Sequence, residues 1–313
     1  MTDGTFGIPV LSVDGDSIAE TWEKSLIKLY DKGAMLSTQY DKPGDPPSVD
    51  ATMLLTVKQP LSEPMIHRDM PGGFEDLQEY VLEVCDGIKD HCVRNPDDPN
   101  DTRWEYTYHQ RLFGYDYETG YEAKGAGSGK IAQYPGLSVR KEWVYGLEFR
   151  CLDQIENMCQ QLAKCFFTRR AQAITWKPWE DPFVSDPPCL QSLWTRILHD
   201  EQDVPRLSMN IRIRSNDAYK AGFMNIYAFI RLQEKIAKRV SEIAGTKIEM
   251  GRYCHLADSY HIYGFDMKEF EGRFLKAVRE RTFEGRTMRY EDVKDIMDGA
   301  VPGILEKARK MGR

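Results

Sequence analysis

The sequence predicts one α+β domain, a mixed β-sheet with flanking helices. Three observations carry that expectation. Helical and strand patterns are intermixed along the whole chain. No internal repeat, low-complexity tract or linker divides them. The 313 residues suffice to bury a sizeable single core.

In chain order, Ser17-Ile-Ala-Glu20 is a capping-box pattern that opens a helix to about Lys32, with Ile18, Trp22, Leu26 and Leu29 on one stripe and Gly33 as its stop. Tyr40 to Ser48 is a turn-rich loop, and Ala51 to Val57 reads as a strand. Phe74 to Asp90 is helical, with Glu75, Glu79 and Glu83 on one face; at most one of these should be a buried acid. After a polar loop, Asn95 to Thr102, the aromatic-rich segment Trp104 to Leu112 either lines a pocket or fills a core. Gly125-Ala-Gly-Ser-Gly-Lys130 resembles a phosphate loop but has its glycines in the wrong register and Ile131 where Ser or Thr is needed. It reads as a flexible loop.

Leu152 to Lys164 is a helix, and Arg169 to Trp176 a strand entered through two arginines. Cys189 to Leu198 and Leu207 to Ile213 form a strand pair around the loop Asp200 to Pro205. A long apolar helix runs from about Tyr219 to Ile243 and stops at Gly245. Lys247 to Tyr263 is a strand broken near Ala257-Asp258, and helices Met267 to Arg281 and Tyr290 to Lys310 follow.

Composition narrows the function classes. A net charge of −7 and a pI near 5.5 argue against nucleic acid held by a basic surface. No apolar run approaches the roughly 20 residues a membrane span needs. With no signal-peptide pattern at Met1-Thr-Asp-Gly, the expected location is cytoplasmic. Seven cysteines without a C-x-x-C pair favour reduced thiols over disulfides or a metal site.

The chemistry concentrates between Phe183 and Asn225. Cys189 follows Pro187-Pro188, with Arg169, Arg170, Arg212 and Arg214 as candidates to lower its pKa and raise the reactive thiolate fraction. Arg214-Ser215 and Arg169-Arg170 suit a phosphate, which guanidinium forks bind bidentately. Asn225, among Phe223, Met224 and Ile226, is a satisfied core amide or a reader of a ligand's donor and acceptor pair. His261 and Tyr263 share one face of a strand.

Phe183-Val-Ser-Asp-Pro-Pro-Cys189, Arg214-Ser-Asn-Asp217, Gly222-Phe-Met-Asn225 and His261-Ile-Tyr263 resemble the thymidylate synthase superfamily in order and spacing. The resemblance is strong from about Leu152 to Tyr263. It divides the single domain into a divergent N-terminal half (1–150), a nucleotide and catalytic core (151–265) and C-terminal helices (266–313). It implies that Cys189 adds to C6 of a pyrimidine nucleoside monophosphate, and that C5 then takes a one-carbon unit from the folate 5,10-methylenetetrahydrofolate. It assigns Arg214, Ser215 and a dimer partner's Arg169 and Arg170 to the phosphate, Asn225 to the base, His261 and Tyr263 to the sugar, and Asp217 to folate. The active unit is then a homodimer. Glu79 and Tyr108 are the choices for the acid and the aromatic that organise proton-transfer water. The family's phosphate-loop arginine has no clear match; Lys42 is the candidate stand-in.

The superfamily also contains pyrimidine-nucleotide 5-hydroxymethylases, including phage dCMP enzymes and CMP enzymes of nucleoside-antibiotic pathways such as mildiomycin. Synthases close the site with an apolar C-terminal tail, whereas this sequence ends in the basic run Glu306 to Arg313. A wetter site favours water over hydride as the second nucleophile. The expectation is therefore 5-hydroxymethylation of CMP or dCMP, with methylation of dUMP as the alternative. Two other classes remain at this stage: a cysteine hydrolase using Cys189, His261 and Asp258, and a non-catalytic nucleotide binder.

Overall fold

The Ser17 hydroxyl accepts the Glu20 amide at 3.3 Å, opening the first helix as expected. The Glu20 carboxylate returns to the Asp16 amide at 2.7 Å. The computed structural model describes residues 7–95, 98, 100–116, 139–144, 147–178 and 180–311, and no side chains at 116 or 139–150. The glycine-rich stretch ending at Lys130 lies outside the described residues.

The strands are β1 (Val10–Gly15), β2 (Ala34–Leu36), β3 (Ser48–Val57), β4 (Ile66–His67), β5 (Tyr115–Asp116), β6 (Val139–Val144), β7 (Leu147–Leu152), β8 (Gln172–Ile174), β9 (Leu190–His199), β10 (Pro205–Asp217), β11 (Glu249–Ile262) and β12 (Thr287–Met288). The principal sheet has seven strands in the order β1-β3-β11-β10-β9-β8, with β2 added on β3. It is mixed: β1 with β3 and β10 with β11 are parallel, and the other pairs are antiparallel. The strand pair expected around Asp200 to Pro205 is β9 and β10.

The longer helices are α1 (Ile18–Lys32), α2 (Phe74–Asp86), α3 (Tyr108–Phe113), α4 (Gln154–Lys164), α5 (Gly222–Ala244), α6 (267–280, with a π-helical middle) and α7 (Lys294–Lys310). Among the boundaries that differ from expectation, two have clear local reasons. α2 ends at Asp86 rather than Asp90 because Gly87 turns left-handed (φ 65°), and a short 3-10 turn follows. α7 begins at Lys294, after another 3-10 turn at Tyr290–Asp292.

α5 fills the core. Phe223, Ile226, Phe229, Ile230, Ile236 and Val240 are fully buried with Leu207, Met209, Ile213 and Tyr253 of the sheet. Each such side chain contributes about 1.5–3 kcal/mol on burial. The entry of α5 is tight. A Cβ on Gly222 would lie 3.2 Å from the Tyr260 hydroxyl and 3.4 Å from Trp22 Nε1, so glycine lets the helix approach the sheet that closely. Trp22 Nε1 donates to the Ala218 carbonyl at 2.9 Å, tying α1 to the same corner.

The break expected in the last long strand is a register shift. β11 advances three residues, Ala257 to Tyr260, while β3 advances two, Met53 to Ala51. Tyr260 then reaches α1, its hydroxyl 2.8 Å from Ser25 Oγ. The start of β9, the end of β10, the end of β11 and the start of β3 come together at one end of the sheet. Leu54, Leu198 and Ile174 are exposed on the sheet. No helix among the described residues is long and apolar enough to cross a membrane.

Candidate active site

Cys189 immediately precedes β9, half-buried at that end of the sheet. Its carbonyl accepts the Arg214 amide at 2.8 Å. The Arg214 side chain doubles back, donating from Nε to the Pro188 carbonyl (3.0 Å) and from Nη2 to the Pro187 carbonyl (2.6 Å). The guanidinium therefore holds the Pro-Pro-Cys turn while staying close to the sulfur. Burial pushes the Cys189 thiol above its usual range, and Arg214 pulls against that shift. The balance favours the thiol form of the sulfur.

A cavity of about 710 Å³ opens beside this turn, lined by Tyr80, Glu83, Arg94, Asp101, Arg103, Trp104, Tyr106, Tyr108 and Asp186 among others. Its volume lies in the range of small-molecule sites, but its lining is more polar than is usual for one. Three tyrosines meet there. Tyr108 accepts the Leu190 amide at 3.2 Å, and Tyr106 packs on it with ring centroids 5.5 Å apart. Tyr80 donates to Asn225 Oδ1 at 2.6 Å. α3 is fixed by a buried ion pair, Arg111 Nη2 to Asp181 Oδ1 at 2.8 Å, and by Gln154 Nε2 donating to the Arg111 carbonyl at 2.9 Å. That pairing sets the helix carrying Tyr108 against the loop leading to Cys189.

Two acids of α2 divide the work of the charged wall. Glu79 is saturated: Lys89 reaches Oε1 at 2.6 Å and Lys307 reaches Oε2 at 2.7 Å. It is absent from the cavity lining. Glu83, one turn later, lines the cavity and meets Lys89 at 3.0 Å through one oxygen only. Burial raises its pKa, against the pull of Lys89. The geometry thus puts Glu83, rather than Glu79, where an acid can face a ligand.

A thymidylate synthase family profile matches residues 101–298. The chain belongs to the thymidylate synthase family. Similar proteins include provisionally named thymidylate synthases of Methanococcoides burtonii, 26% identical over 84% of this chain and 94% of the relative, and of Methanothermobacter thermautotrophicus, 30% identical over 83% and 96%. Among solved structures, thermostable thymidylate synthase A from Bacillus subtilis superposes with a TM-score of 0.53 at 15% identity, covering 88% of this chain and 95% of that one. The family's α+β fold is the fold described above.

The positions that carry the thymidylate synthase resemblance gather unevenly. Cys189, Arg214 and Tyr108 share the cavity end of the sheet, and Ser215 follows Arg214 on β10. Asn225 is buried on the first turn of α5 and joined to Tyr80. Asp217 closes β10: its Oδ1 accepts the amides of Lys220 (2.8 Å) and Tyr219 (3.1 Å). Burial raises its pKa to about 6, with those amides and Lys220 opposing and Asp266 reinforcing. Its Oδ2 has no hydrogen-bond partner among the described residues.

His261 is the strand partner of Asp217, and its ring stands 4.6 Å from that of Tyr263. Tyr263 stacks on Phe265 at 4.9 Å. The turn after it passes so close to the Tyr40–Ser48 loop that a Cβ on Gly264 would overlap the Pro46 carbonyl. Lys42 is exposed on that loop.

Arg169 and Arg170 stand apart from this group. Both are exposed ahead of β8, with no carboxylate partner among the described residues. The hydrolase arrangement does not form. Asp258 is bound by Arg212 (3.0 and 3.1 Å), and His261 Nδ1 faces Ser259 Oγ, leaving no Cys–His–Asp relay. Tyr80 and Glu83 were not among the site residues read from the sequence, and Tyr106 belongs to the aromatic segment expected to line a pocket or fill a core. Glu83 was within reach as the last member of the acidic stripe, but only the packing of Lys307 on Glu79 separates the two glutamates.

Proposed function

We propose that the protein transfers a one-carbon unit from methylenetetrahydrofolate to C5 of a pyrimidine nucleoside monophosphate and releases a 5-hydroxymethyl nucleotide, with a cytidine nucleotide as substrate. The polar cavity beside Cys189 carries this reading. Tyr80, Glu83, Tyr106 and Tyr108 line it and can hold water where a methylating enzyme must exclude it.

Folate supplies carbon at the oxidation level of formaldehyde. The chain supplies the rest. Cys189 adds to C6 as thiolate, so C5 becomes the nucleophile that accepts the carbon. Glu83 and the tyrosines hold the water that carries off the C5 proton. Water then adds to the methylene on C5, and the thiolate leaves C6. The sum is pyrimidine C5–H plus the carbon unit plus water, giving C5–CH₂OH and tetrahydrofolate.

Arg214 and Ser215 hold the phosphate, joined by Arg169 and Arg170 of a second copy. Their exposure and lack of carboxylate partners among the described residues favour that dimer, as do exposed Leu54, Leu198 and Ile174 on the sheet. Asp217 takes folate, for which its uncommitted Oδ2 is a fitting acceptor of pterin N–H groups. Tyr80 occupies Asn225 Oδ1 and leaves Nδ2 as a donor without a protein partner among the described residues. Cytosine offers N3 as an acceptor, whereas uracil presents N3–H.

Methylation of a uridine nucleotide is the second reading, favoured by the names of the archaeal relatives. Tritium release from 5-tritiated CMP, dCMP, UMP and dUMP, with products resolved by mass, separates them. Release with a hydroxymethyl product supports the first reading. A methyl product with dihydrofolate supports the second, and no release refutes both.

A further inference from the structure

Three polar side chains form a chain at the sheet end beside Tyr263. Asp50 on β3 lies directly across from His261 on β11. Ser259 Oγ bridges them, 2.7 Å from Asp50 Oδ2 and 3.1 Å from His261 Nδ1.

The donors in this chain can be assigned. A carboxylate only accepts, so the single hydroxyl proton of Ser259 goes to Asp50. Ser259 Oγ can then only accept from the imidazole, which places the ring proton on Nδ1 and leaves Nε2 as a bare acceptor. His261 is 5% exposed, and its Nε2 has no hydrogen-bond partner among the described residues. A buried acceptor without a partner is unfavourable by about 1–3 kcal/mol until a donor arrives.

The thymidylate synthase resemblance assigns His261 to the sugar, whose hydroxyls can donate to a bare ring nitrogen, and assigns folate to Asp217, its partner across the strands.

We propose that Asp50 and Ser259 are positioning residues that fix the Nδ1–H tautomer of His261, so that Nε2 accepts a hydrogen bond from a sugar hydroxyl of the substrate nucleotide. This rests on the nucleotide reading given above. It adds two residues acting through His261 and makes the site selective for hydroxylated sugars over sugars lacking them.

The test joins two readouts on the full-length protein. Nitrogen-15 NMR of histidine-labelled protein reads the tautomer of His261, and calorimetry reads the binding of CMP and its 2′,3′-dideoxy analogue. Wild type should show protonated Nδ1 and bare Nε2, and should prefer CMP. Ser259→Ala should shift the ring toward the other tautomer and weaken CMP about tenfold while leaving the dideoxy analogue unchanged. Ser259→Thr, which keeps the hydroxyl, should restore both. A wild-type ring protonated on Nε2 overturns the inference, as does an equal loss for both nucleotides in Ser259→Ala. Equal wild-type affinity with and without the hydroxyls overturns it alone, whereas wild type that binds no pyrimidine nucleotide overturns the functional reading and this inference with it.

Discussion

The Tyr80 hydroxyl donates to Asn225 Oδ1 across 2.6 Å, joining α2 to α5 beside the cavity at Cys189. An amide held at one end cannot turn freely to suit either pyrimidine. Tyr80→Phe frees it and is expected to narrow the ratio of kcat/KM between cytidine and uridine nucleotides by about tenfold, the worth of one good hydrogen bond. An unchanged ratio in a folded variant removes Tyr80 from base selection.

Glu79 and Glu83 lie one helical turn apart, yet their substitutions should differ in kind. Glu83→Gln removes the acid that faces the cavity and should lower kcat by about 10²–10⁴ with little change in thermal stability. Glu79→Gln loosens Lys89 and Lys307 and should lower Tm while sparing kcat. Paired thermal melts and kinetics check this, and the reverse pattern returns the role to Glu79.

The raised pKa of Cys189 fixes a pH dependence. Burial favours the thiol, and the Arg214 charge favours the thiolate. Alkylation by iodoacetamide should therefore rise with pH through a midpoint above that of an ordinary cysteine. Arg214→Ala should move the midpoint higher still and weaken nucleotide binding by about 1.5–3 kcal/mol. A midpoint that falls instead contradicts the proximity of the two groups.

Desolvation of its carboxyl pushes the pKa of Asp217 up to about 6. If its carboxylate accepts from the pterin, folate binding should strengthen as pH rises through 6 and fade below it. The sign for folding is opposite. The native state holds this proton more tightly than the unfolded chain, whose value is near 3.8. Asp217 thus subtracts stability as pH rises from about 4 to 6. Asp217→Asn should flatten both profiles, as KM for folate and chemical denaturation across that range would reveal.

Much of this was legible in the sequence because it is local. The Ser17 cap, the Gly245 stop (φ 67°) and the β9–β10 pair follow from residue type and period. So does the break in β11. The candidate positions from Cys189 to Tyr263 were readable because each short motif is local and the motifs follow in order and spacing. What escaped depends on contacts across long separations. Asn225 meets Tyr80 from 145 residues away, and Asp50 meets Ser259 from 209. Nothing in the acidic stripe of α2 shows that Lys307, 228 residues on, covers Glu79 and leaves Glu83 to the cavity. The strand read from Arg169 to Trp176 spans only Gln172–Ile174, where Gln154 binds the backbone of Ile174 at both its amide and its carbonyl.

The central claim is attack of Cys189 on C6 of a pyrimidine nucleotide, and a 5-fluoropyrimidine nucleotide tests it most directly. Fluorine at C5 cannot leave as a proton does, so the reaction should stop with the nucleotide bound to sulfur. Incubation with 5-fluoro-CMP and methylenetetrahydrofolate should add the mass of both to the protein, with the modified peptide containing Cys189 and no adduct in Cys189→Ser. Should 5-fluoro-dUMP alone form that adduct, the mechanism stands and the substrate is a uridine nucleotide. Unmodified protein with both nucleotides, or an adduct mapped to another cysteine, would contradict the account.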